Sequence, residues 1–302
     1  MKILIFLILC SVAFGDFTNV LWYTMDDNSA ATNKVTDSAG TTHLQSNPGN
    51  TDNYSAPPLM GVTGLSFSQA SGEFIKGTST TNPTALATMV SIFSTNFAVS
   101  LWCKPLNLDA ATRLYGYRNL DGPGGNIVDK SWATVHTDGT VSMRYTVGGN
   151  ANEANAQTAN AAFSAAGQVK HLVFVGFKDV TGANGLAIWV NGVRQNLSVN
   201  NGDTSNLTFA NWAGNSGGEQ NRIMDLAGEA IFWEDGGTQV IHQNDFVGTF
   251  DDYSFWIFDN TDIAGIQGNL IDRLYNNGQG SDLLLGDPNE NERRIVRNRP
   301  RY

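Results

Sequence analysis

The feature that most limits the fold of this chain is a series of short apolar segments separated by glycine-bearing turns. The clearest example is HLVFVGFKDVTGANGLAIWVNGVRQNL, His171–Leu197, which holds two strand-like segments and two such turns with little charge. Asn191 and Gly192 tolerate the positive φ angles of a two-residue hairpin turn. We therefore predict two adjacent antiparallel strands. Four side chains are expected to serve one layer across this hairpin: Val173, Phe177, Leu186 and Ile188.

Similar alternating segments recur along the whole chain, as expected for a protein built mainly from strands. They include NVLWYTM, GLSFS, EFIKG, FAVSLWCKP, RLYGYRN, WATVHTDGTVSMRYTV, EAIFWED and YSFWIFD. Asp138 and Gly139 lie between two alternating runs and predict a further hairpin. Pro105 should end its strand, because proline cannot continue a central strand. The small, polar stretch Gly148–Gln168 is interpreted as a long loop.

One segment near the C-terminus, AGIQGNLIDRLYNNGQG, has helical rather than strand spacing. Its apolar residues recur three and four positions apart, and Asn277 with Gly278 is a good helix C-cap. The sequence predicts one short helix with four apolar residues on one side: Ile266, Leu270, Ile271 and Leu274. No internal repeat or proline-rich linker divides the chain, so about a dozen strands indicate one sandwich over residues 16–286.

The two ends of the chain differ from this strand-rich middle. MKILIFLILCSVAFG has a positive Lys2, an apolar run too short to span a membrane, and small residues before Asp16. We expect residues 1–15 to be a signal peptide, which implies a secreted chain with no membrane span after cleavage. A buried N-terminal strand is the alternative. Residues 287–302 form an Arg-rich tail, either a solvated end or a contact for an acidic partner in an oligomer.

The net charge and the cysteine content exclude some partners and one kind of stabilising cross-link. The net charge is −10, and residues 16–286 hold 12 Lys and Arg against 25 Asp and Glu. An acidic body of this kind repels nucleic acid and anionic membranes. After signal cleavage Cys103 is the only cysteine, so no internal disulfide can form. We expect a buried, inert thiol on the same strand face as three apolar residues: Phe97, Val99 and Leu101.

Five groups of residues occur in the order found in a known family. They are LWYTMDDNSA with VTDSAG, GVTGLSFSQASGEFIKG, FAVSLWCKP, KHLVFVGFKDVTGANGLAIWVNGV, and GTFDDYSFWIFD with LIDRLYNNGQG. Together they resemble the laminin-G-like, concanavalin A-like jelly-roll domains of extracellular proteins. The resemblance covers nearly all of residues 16–286. It implies an all-β, two-sheet antiparallel jelly-roll sandwich with one short C-terminal helix, but it says less about function, which belongs to sites grafted on a fold.

The resemblance also implies a metal site, because the family often holds Ca²⁺ where the first strand meets the closing strands. Calcium takes six to eight oxygen ligands from carboxylates, carbonyls and waters. The residues of this chain that could converge there are Asp26, Asp27, Asp37, Asp251 and Asp252, with backbone oxygens around Gly40. The alternative is that these Asp residues form turns through their own backbone hydrogen bonds. Asp26 and Asp251 are the strongest candidates.

Enzymes with this fold cleave glycans, and their catalytic patterns are absent here. The hydrolase pattern Glu-x-Asp-x-x-Glu places carboxylates in one cleft, whereas Glu229 and Glu234 are five residues apart and face opposite sides of a strand. The lyase pattern Arg-x-Glu-x-Arg is missing too, and so is a G-x-S-x-G elbow. The four histidines have no metal-ligand spacing, and His171 is expected to be a half-buried strand residue. A hydrolase or lyase remains the least favoured alternative.

A binding role needs only exposed aromatic and hydrogen-bonding side chains. Two segments supply such residues: FANWAGNSGGEQNR, an apparent loop, and RNLDGPGGNIVDKSW. The candidate ligand-binding residues are Trp212, Asn215, Arg118, Asp121 and Trp132. Core or edge packing is the alternative for each Trp, and strand context favours it for most of them. Asn53, Asn196 and Asn206 begin Asn-x-Ser/Thr sequons, which carry glycans in eukaryotic secretory chains.

The sequence therefore predicts a secreted, non-catalytic binding module that recognises an extracellular glycan, with Ca²⁺ as a structural or loop-shaping ion. A structural subunit of an extracellular or viral surface, making protein–protein contacts, is the second hypothesis. Under either hypothesis the partner is a glycan or a surface protein, and not nucleic acid.

Overall fold

The fold is known from a computed structural model. Its description covers residues 17–25, 34–35, 44–46, 53–56, 59, 64–67, 75–78, 95–120, 127–147, 152–205, 222–233, 240–243, 246–259, 263–275 and 278. Within them the chain forms two large antiparallel sheets, a two-stranded sheet and one helical segment.

Sheet A has eight strands, in the order β14-β13-β12-β7-β19-β5-β4, with β1 also paired to β19. Its strands are β1 (Phe17–Tyr23), β4 (Asn53–Ala56), β5 (Gly64–Phe67), β7 (Asn96–Pro105), β12 (Lys170–Gly176), β13 (Leu186–Val190), β14 (Val193–Arg194) and β19 (Gly248–Phe258). The long strand β19 pairs with β7 on one side and with β1 and β5 in succession on the other. The two ends of the described chain are thereby joined.

Sheet B has nine strands, in the order β15-β11-β10-β9-β8-β16-β6-β3-β2. Its strands are β2 (Lys34–Val35), β3 (Leu44–Ser46), β6 (Ile75–Thr78), β8 (Thr112–Leu120), β9 (Ile127–Val135), β10 (Val141–Val147), β11 (Asn152–Thr158), β15 (Leu197–Asn201) and β16 (Arg222–Leu226). A separate pair consists of β17 (Glu229–Trp233) and β18 (Val240–Gln243).

The main hydrophobic core lies between sheets A and B, because it takes buried side chains from both. Tyr115 on sheet B, for example, meets the rings of Phe174 and Phe255 on sheet A edge-on. Cys103 is fully buried in this core, where burial raises the pKa of its thiol far above the usual range. The expected inert thiol is confirmed, on the same face as Phe97, Val99 and Leu101.

A second core lies on the outer face of sheet A, against the C-terminal helix. The helix comprises α1 (Ile263–Ile266), a π-helical turn (Gln267–Ile271) and α2 (Asp272–Tyr275). Its buried residues are the four that the sequence predicts: Ile266, Leu270, Ile271 and Leu274. The predicted short helix is therefore confirmed, and it buries its apolar side on the sheet.

The two cores correct one detail of the His171–Leu197 prediction. The strands β12 and β13 pair as expected, with Val173 opposite Trp189 and Phe174 opposite Ile188. Val173 and Phe177 belong to the helix-side core, however, whereas Leu186 and Ile188 belong to the core between the sheets. The prediction of one shared layer was wrong, because both strands are apolar on both faces and the sequence does not mark which face is which.

The turns behave largely as predicted. Asn191 and Gly192 have φ angles of 50° and 75° in the β13–β14 hairpin, and Gly139 has 76° in the β9–β10 hairpin. A side chain at position 139 could not be accommodated, because a Cβ there would lie 1.9 Å from the carbonyl oxygen of Phe163. The strand β7 ends at Pro105, as expected.

The predicted loop over Gly148–Gln168 is wrong in its central part, which forms strand β11. Ala154 and Ala156 are fully buried, while Glu153, Asn155 and Gln157 between them are half-buried. The strand was missed because its inward residues are small alanines rather than large apolar residues. Among the helices of the described ranges, none has the length and apolar character that a bilayer crossing requires.

Candidate functional site

The outer face of sheet B, which points away from the core, carries a nearly continuous row of polar residues. The cross-strand register aligns one position from each of the nine strands. In sheet order from β2 to β15 these positions are Lys34, Gln45, Lys76, Asp225, Gly116, Trp132, Arg144, Asn155 and Asn201. A row of this length exists because alternate residues of every strand fall on the same face.

Two shorter rows flank the central one on the same face. One contains Thr78, Ile223, Arg118, Lys130, Thr146 and Glu153. The other contains Arg113, Thr134, Ser142, Gln157 and Val199. We call these three rows together the polar face. It contrasts with the apolar outer face of sheet A, which the helix covers.

Trp132 lies at the centre of the polar face and holds two guanidinium groups. The Cζ atoms of Arg113 and Arg144 lie 4.9 Å and 5.1 Å from its ring centroid, a cation–π arrangement. Arg113 also donates a hydrogen bond to the Thr134 hydroxyl, and Arg144 donates to the carboxylate of Glu153. Trp132 itself is only 8% exposed, so it orients the two arginines and does not present a free ring for stacking.

The accessible part of this face lies toward β11 and β15. The side chains of Arg144 and Glu153 are 35% and 25% exposed. Asn155 and Gln157 follow Glu153 at alternate positions of β11, and each is half-buried. Gln157 donates a hydrogen bond to the Thr140 hydroxyl at 2.7 Å. The result is a set of neighbouring donors and acceptors of several geometries, which is what sugar hydroxyls require.

One end of the polar face has a histidine. His136 lies 2.8 Å from the Ser142 hydroxyl. The pKa of His136 is lowered mainly by burial and further by Arg113, whereas Asp138 acts in the opposite direction. The pKa of Asp138 is itself lowered, because the hydroxyl and the N–H of Thr140 donate to its carboxylate. The imidazole is therefore held neutral at neutral pH and adds a further hydrogen-bonding group.

The structure brings two of the five predicted ligand-binding residues to this face. Trp132 and Arg118 occupy its central and flanking rows. Asp121, Trp212 and Asn215 lie outside the described residues. The sequence analysis missed the residues that surround Trp132. Their alternation with apolar residues in RLYGYRN, VSMRYTV and NEANAQT is the signal that could have found them. These missed residues are Arg113, Arg144, Glu153, Asn155 and Gln157.

The predicted calcium ligands are described only in part. Asp26, Asp27, Asp37 and Gly40 lie outside the described residues, while Asp251 and Asp252 lie on β19. The register Tyr23↔Tyr253 places the end of β1 beside this pair. Whether the acidic residues after β1 meet Asp251 and Asp252 stays a prediction. Within the ranges that the structure describes, no group of three or more His, Cys, Asp and Glu residues is close enough to hold a metal.

The corner formed by Asp251 and Asp252 has an unusual backbone. Asp252 has a φ of 48° where β19 bulges, and Met25, just beyond β1, has a φ of 58°. The buried carboxylate of Asp251 accepts a hydrogen bond from the N–H of Leu59 at 2.9 Å. Asp252 accepts one from the indole N–H of Trp22 at 2.5 Å. Both groups have the oxygen chemistry that calcium takes, and both already serve the fold.

The described residues include two serine–histidine contacts, the His136–Ser142 contact given above and a second one that is fully enclosed. Nε2 of His171 lies 2.8 Å from the hydroxyl of Ser100, and the ring is covered by Trp102 and Tyr275. His171 is 1% exposed, which corrects the expected half-buried ring, and burial lowers its pKa to about 3. A substrate could not reach this pair, so it is part of the packing of the helix against the sheet.

The fold is shared with known binding domains of very different sequence. The binding domain of botulinum neurotoxin serotype C1 matches with a TM-score of 0.52 and 10% identity over 86% of this chain and 52% of that one. A type C neurotoxin structure whose title reports interaction with two ganglioside molecules matches with a TM-score of 0.51 and 10% identity, over 86% and 51%. The serotype G binding domain matches with a TM-score of 0.50 and 9% identity, over 83% and 50%.

These comparisons establish the fold. The chain is an all-β, two-sheet antiparallel jelly-roll sandwich with one short C-terminal helix, as predicted. It spans about half the length of the neurotoxin domains that it matches. No model of a known protein family matches the chain, and a search of curated proteins finds no match.

Proposed function

We propose that this protein is a secreted, non-catalytic binding module and that its polar face recognises an extracellular glycan. The observation that carries the proposal is the arrangement around Trp132, where two guanidinium groups are held next to the carboxylate and amide side chains of β11. Rigid strands fix these groups more tightly than loops would. A laminin-G-like origin of the domain is part of the same proposal, on the motifs given above.

Glycan recognition fits the chemistry of the polar face. Sugars are bound through several neighbouring hydrogen bonds. The three rows of the face offer guanidinium, carboxylate, amide and hydroxyl groups, and the imidazole of His136 lies at one end. The fold adds support, since one neurotoxin domain with the same fold interacts, by its title, with two ganglioside molecules. A flat polar sheet face with half-buried side chains suits an extended ligand better than a small molecule, which needs a deep pocket.

Several observations favour binding over catalysis. The Ser100–His171 pair is buried, and His171 stays neutral at neutral pH because its pKa is about 3. The rows of the polar face contain two carboxylates, Asp225 and Glu153. Their strands, β16 and β11, are four strand spacings apart, or roughly 19 Å, and Glu153 is paired with Arg144. A glycosidase needs two carboxyl groups facing each other across the scissile bond.

We further propose that Ca²⁺ stabilises the corner at Asp251 and Asp252, with Asp26, Asp27, Asp37 and Gly40 as the other ligands. A bound ion would neutralise the buried carboxylate of Asp251 and offset the left-handed backbone at Asp252. The expected result is a higher melting temperature with Ca²⁺ than with EDTA, and the shift should be lost in Asp251→Asn. An equal melting temperature in both conditions would contradict the calcium site.

Assembly through a sheet edge is the second candidate function. The edge strand β15 contains no charged residue and no proline, and Val199 on it is 38% exposed. Natural proteins usually protect such edges with charge or proline, so an unprotected edge favours pairing with another chain. Size-exclusion chromatography of the chain and of Val199→Lys would test this, since a structural subunit should lose its oligomer in the variant.

The main proposal is tested on a glycan array, with the full secreted chain and with two matched variants. Replacing Asn155 and Gln157 together by Ala removes two amide groups from the polar face. Gln195→Ala removes an amide beside β14, where it bonds the carbonyl of Val193. Binding to a defined glycan that the first variant loses and the second retains is the expected result. Binding that survives the double change, or no binding to any glycan, would overturn the proposal.

A further inference from the structure

We infer that the ligand of the polar face is an anionic glycan, one that carries carboxylate or sulfate groups. This inference rests on the function proposed above and adds the class of ligand. It comes from the distribution of charge over the sandwich, which the linear sequence does not display.

The cations of the protein are concentrated on the polar face. Six of the 12 Lys and Arg residues in residues 16–286 occupy positions in its rows, against two of the 12 acidic residues that the structure describes there. The six cationic positions are Lys34, Lys76, Arg113, Arg118, Lys130 and Arg144, and the two acidic ones are Asp225 and Glu153. Among the described residues, the rows of this face therefore hold more positive than negative positions, although the whole chain has a net charge of −10.

Two of the positive residues on the polar face occupy directly opposed positions on neighbouring strands. Arg118 and Lys130 stand directly opposite each other on β8 and β9. Like charges at directly opposed positions destabilise a sheet pair. A bound anion would turn the repulsion between the two cations into attraction for itself.

The described guanidinium groups have the geometry for carboxylate or sulfate recognition. Arg144 is held over Trp132, and its Nη2 donates to the carboxylate of Glu153, so the guanidinium already bonds one anionic group. Its side chain is 35% exposed, so part of it can be reached by a ligand. Arginine forms paired hydrogen bonds to carboxylate and sulfate-like groups, and holding the fork in place reduces the entropy lost on binding.

A glycan is favoured over nucleic acid or a membrane as the anionic ligand. The acidic remainder of the protein repels an anionic bilayer or a stiff nucleic-acid duplex, because each presents negative charge well beyond one sheet face. Bases would also need free aromatic rings for stacking, and the ring of Trp132 is almost completely covered. An acidic oligosaccharide can follow a row of the sheet and remain within the positive region.

The experiment compares polymers that differ only in charge. Polygalacturonate is paired with its methyl ester to test carboxylate recognition, and dextran sulfate is paired with dextran to test sulfate recognition. Binding of the full secreted chain is measured by calorimetry at low and high salt. We expect the charged member of at least one pair to bind about tenfold tighter or more than its neutral counterpart, with affinity falling as salt rises.

Two arginines provide a matched pair of variants, since both stack on a tryptophan. Arg144 lies over Trp132 on the polar face, whereas Arg194 lies 6.0 Å from the Trp189 ring on sheet A. Arg144→Gln should weaken binding of the charged polymer about tenfold, and Arg194→Gln should leave it unchanged. Should Arg144→Gln fail to fold, the double change of Arg118 and Lys130 to Gln serves in its place, with the same expected loss.

The outcomes separate the two proposals. Equal binding of charged and neutral polymers, unaffected by salt, would overturn the anionic class and leave glycan recognition standing. Absence of binding to all four polymers and to the glycan array would overturn both. Equal losses in the Arg144 and Arg194 variants would also overturn the inference, because attraction would then come from overall charge and not from the polar face.

Discussion

The outer faces of the two sheets are opposites. On sheet A the outer face is apolar and is covered by the C-terminal helix, with Trp189 and Trp256 fully buried beneath it. On sheet B the outer face is mostly polar in its three rows, with Ile223 and Val199 as apolar exceptions, and Arg144 and Glu153 are partly exposed there. The first face completes the fold, and the second is the face that we propose binds a ligand. Sheet A therefore packs against other parts of the protein on both faces, whereas sheet B packs on only one face.

The burial patterns of individual strands differ in the same way as the two faces. All residues of β13 and all but one of β12 are buried, so both read as continuous apolar runs. In β11 the buried Ala154 and Ala156 alternate with half-buried polar residues. A sheet covered on both sides requires the first pattern, and a sheet with one free side requires the second. Each prediction below tests one side of this contrast, in order of decreasing effect.

The largest effect is expected at the junction of sheet A with the helix. Trp189 is fully buried there, and its indole N–H donates to Gln267 of the helix at 2.6 Å. Trp189→Ala should lower the free energy of unfolding by about 3–5 kcal/mol through the lost burial and the cavity. Val193→Ala is the control, since Val193 is 63% exposed, and it should cost less than about 0.5 kcal/mol. Similar small losses in both variants, measured by urea denaturation, would contradict a structural role for the helix-covered face.

A smaller effect is expected from enlarging side chains on the two faces of β11. Ala156 points into the core between the sheets and is fully buried. Ala156→Leu should destabilise the protein by about 1–3 kcal/mol, because the core has no room for the added atoms. Gln157→Leu, on the polar face, should change stability by less than about 0.5 kcal/mol. A larger loss for Gln157 than for Ala156 in thermal melts would mean that the faces of β11 are assigned the wrong way round.

The pH dependence of stability tests the buried histidine on the helix side. The pKa of His171 falls from its ordinary 6.5 to about 3 in the folded protein, because burial disfavours the charged ring. Below pH 6.5 the unfolded chain takes up a proton that the folded chain excludes. Stability should therefore fall by up to about 1.4 kcal/mol per pH unit between 6.5 and 3, and level off below. His171→Gln should show a shallower slope in urea denaturation at several pH values, and parallel slopes would show that the ring is charged when buried.

The smallest effect on stability, but a clear one on binding, is expected at Glu153. Its ion pair with Arg144 is partly exposed, and such pairs contribute at most about 1 kcal/mol. Glu153→Gln should leave the melting temperature almost unchanged while it removes one of the two acidic residues in the rows of the polar face. Affinity for the charged polymer should rise, by about threefold to tenfold. A fall in affinity, measured by calorimetry, would indicate that Glu153 itself contacts the ligand.

The local features of this fold could be predicted from the sequence. The hairpins at Asn191 and Asp138, the buried Cys103 and the short helix all follow from nearest-neighbour patterns and turn chemistry. The missed strand β11 also follows from a local pattern, in which alanine fills the inward positions. Local rules fail for the face assignment of β12 and β13, because a strand buried on both sides has no polar face to mark its orientation.

The candidate site could not be predicted in the same way. Lys76, Trp132 and Arg144 are far apart in the sequence and come together only through the pairing of β6, β16, β8, β9 and β10. The order of nine strands in a sheet is set by long-range packing, and the sequence alone does not give it. The sequence placed Trp132 in the correct strand but suggested an exposed ring. In the structure two arginines cover that ring. The predicted residues outside the described ranges, such as Trp212, remain predictions.

The most direct test of the contrast between the two faces is a residue-by-residue map of ligand contacts. The amides of the isotopically labelled protein would be followed by NMR while oligogalacturonate is added. We predict that shifts concentrate in β8 to β11, around Arg113, Trp132, Arg144 and Asn155, while the helix and β13 stay unchanged. Shifts concentrated on the helix and the outer face of sheet A would contradict the central claim that the polar face of sheet B is the binding surface.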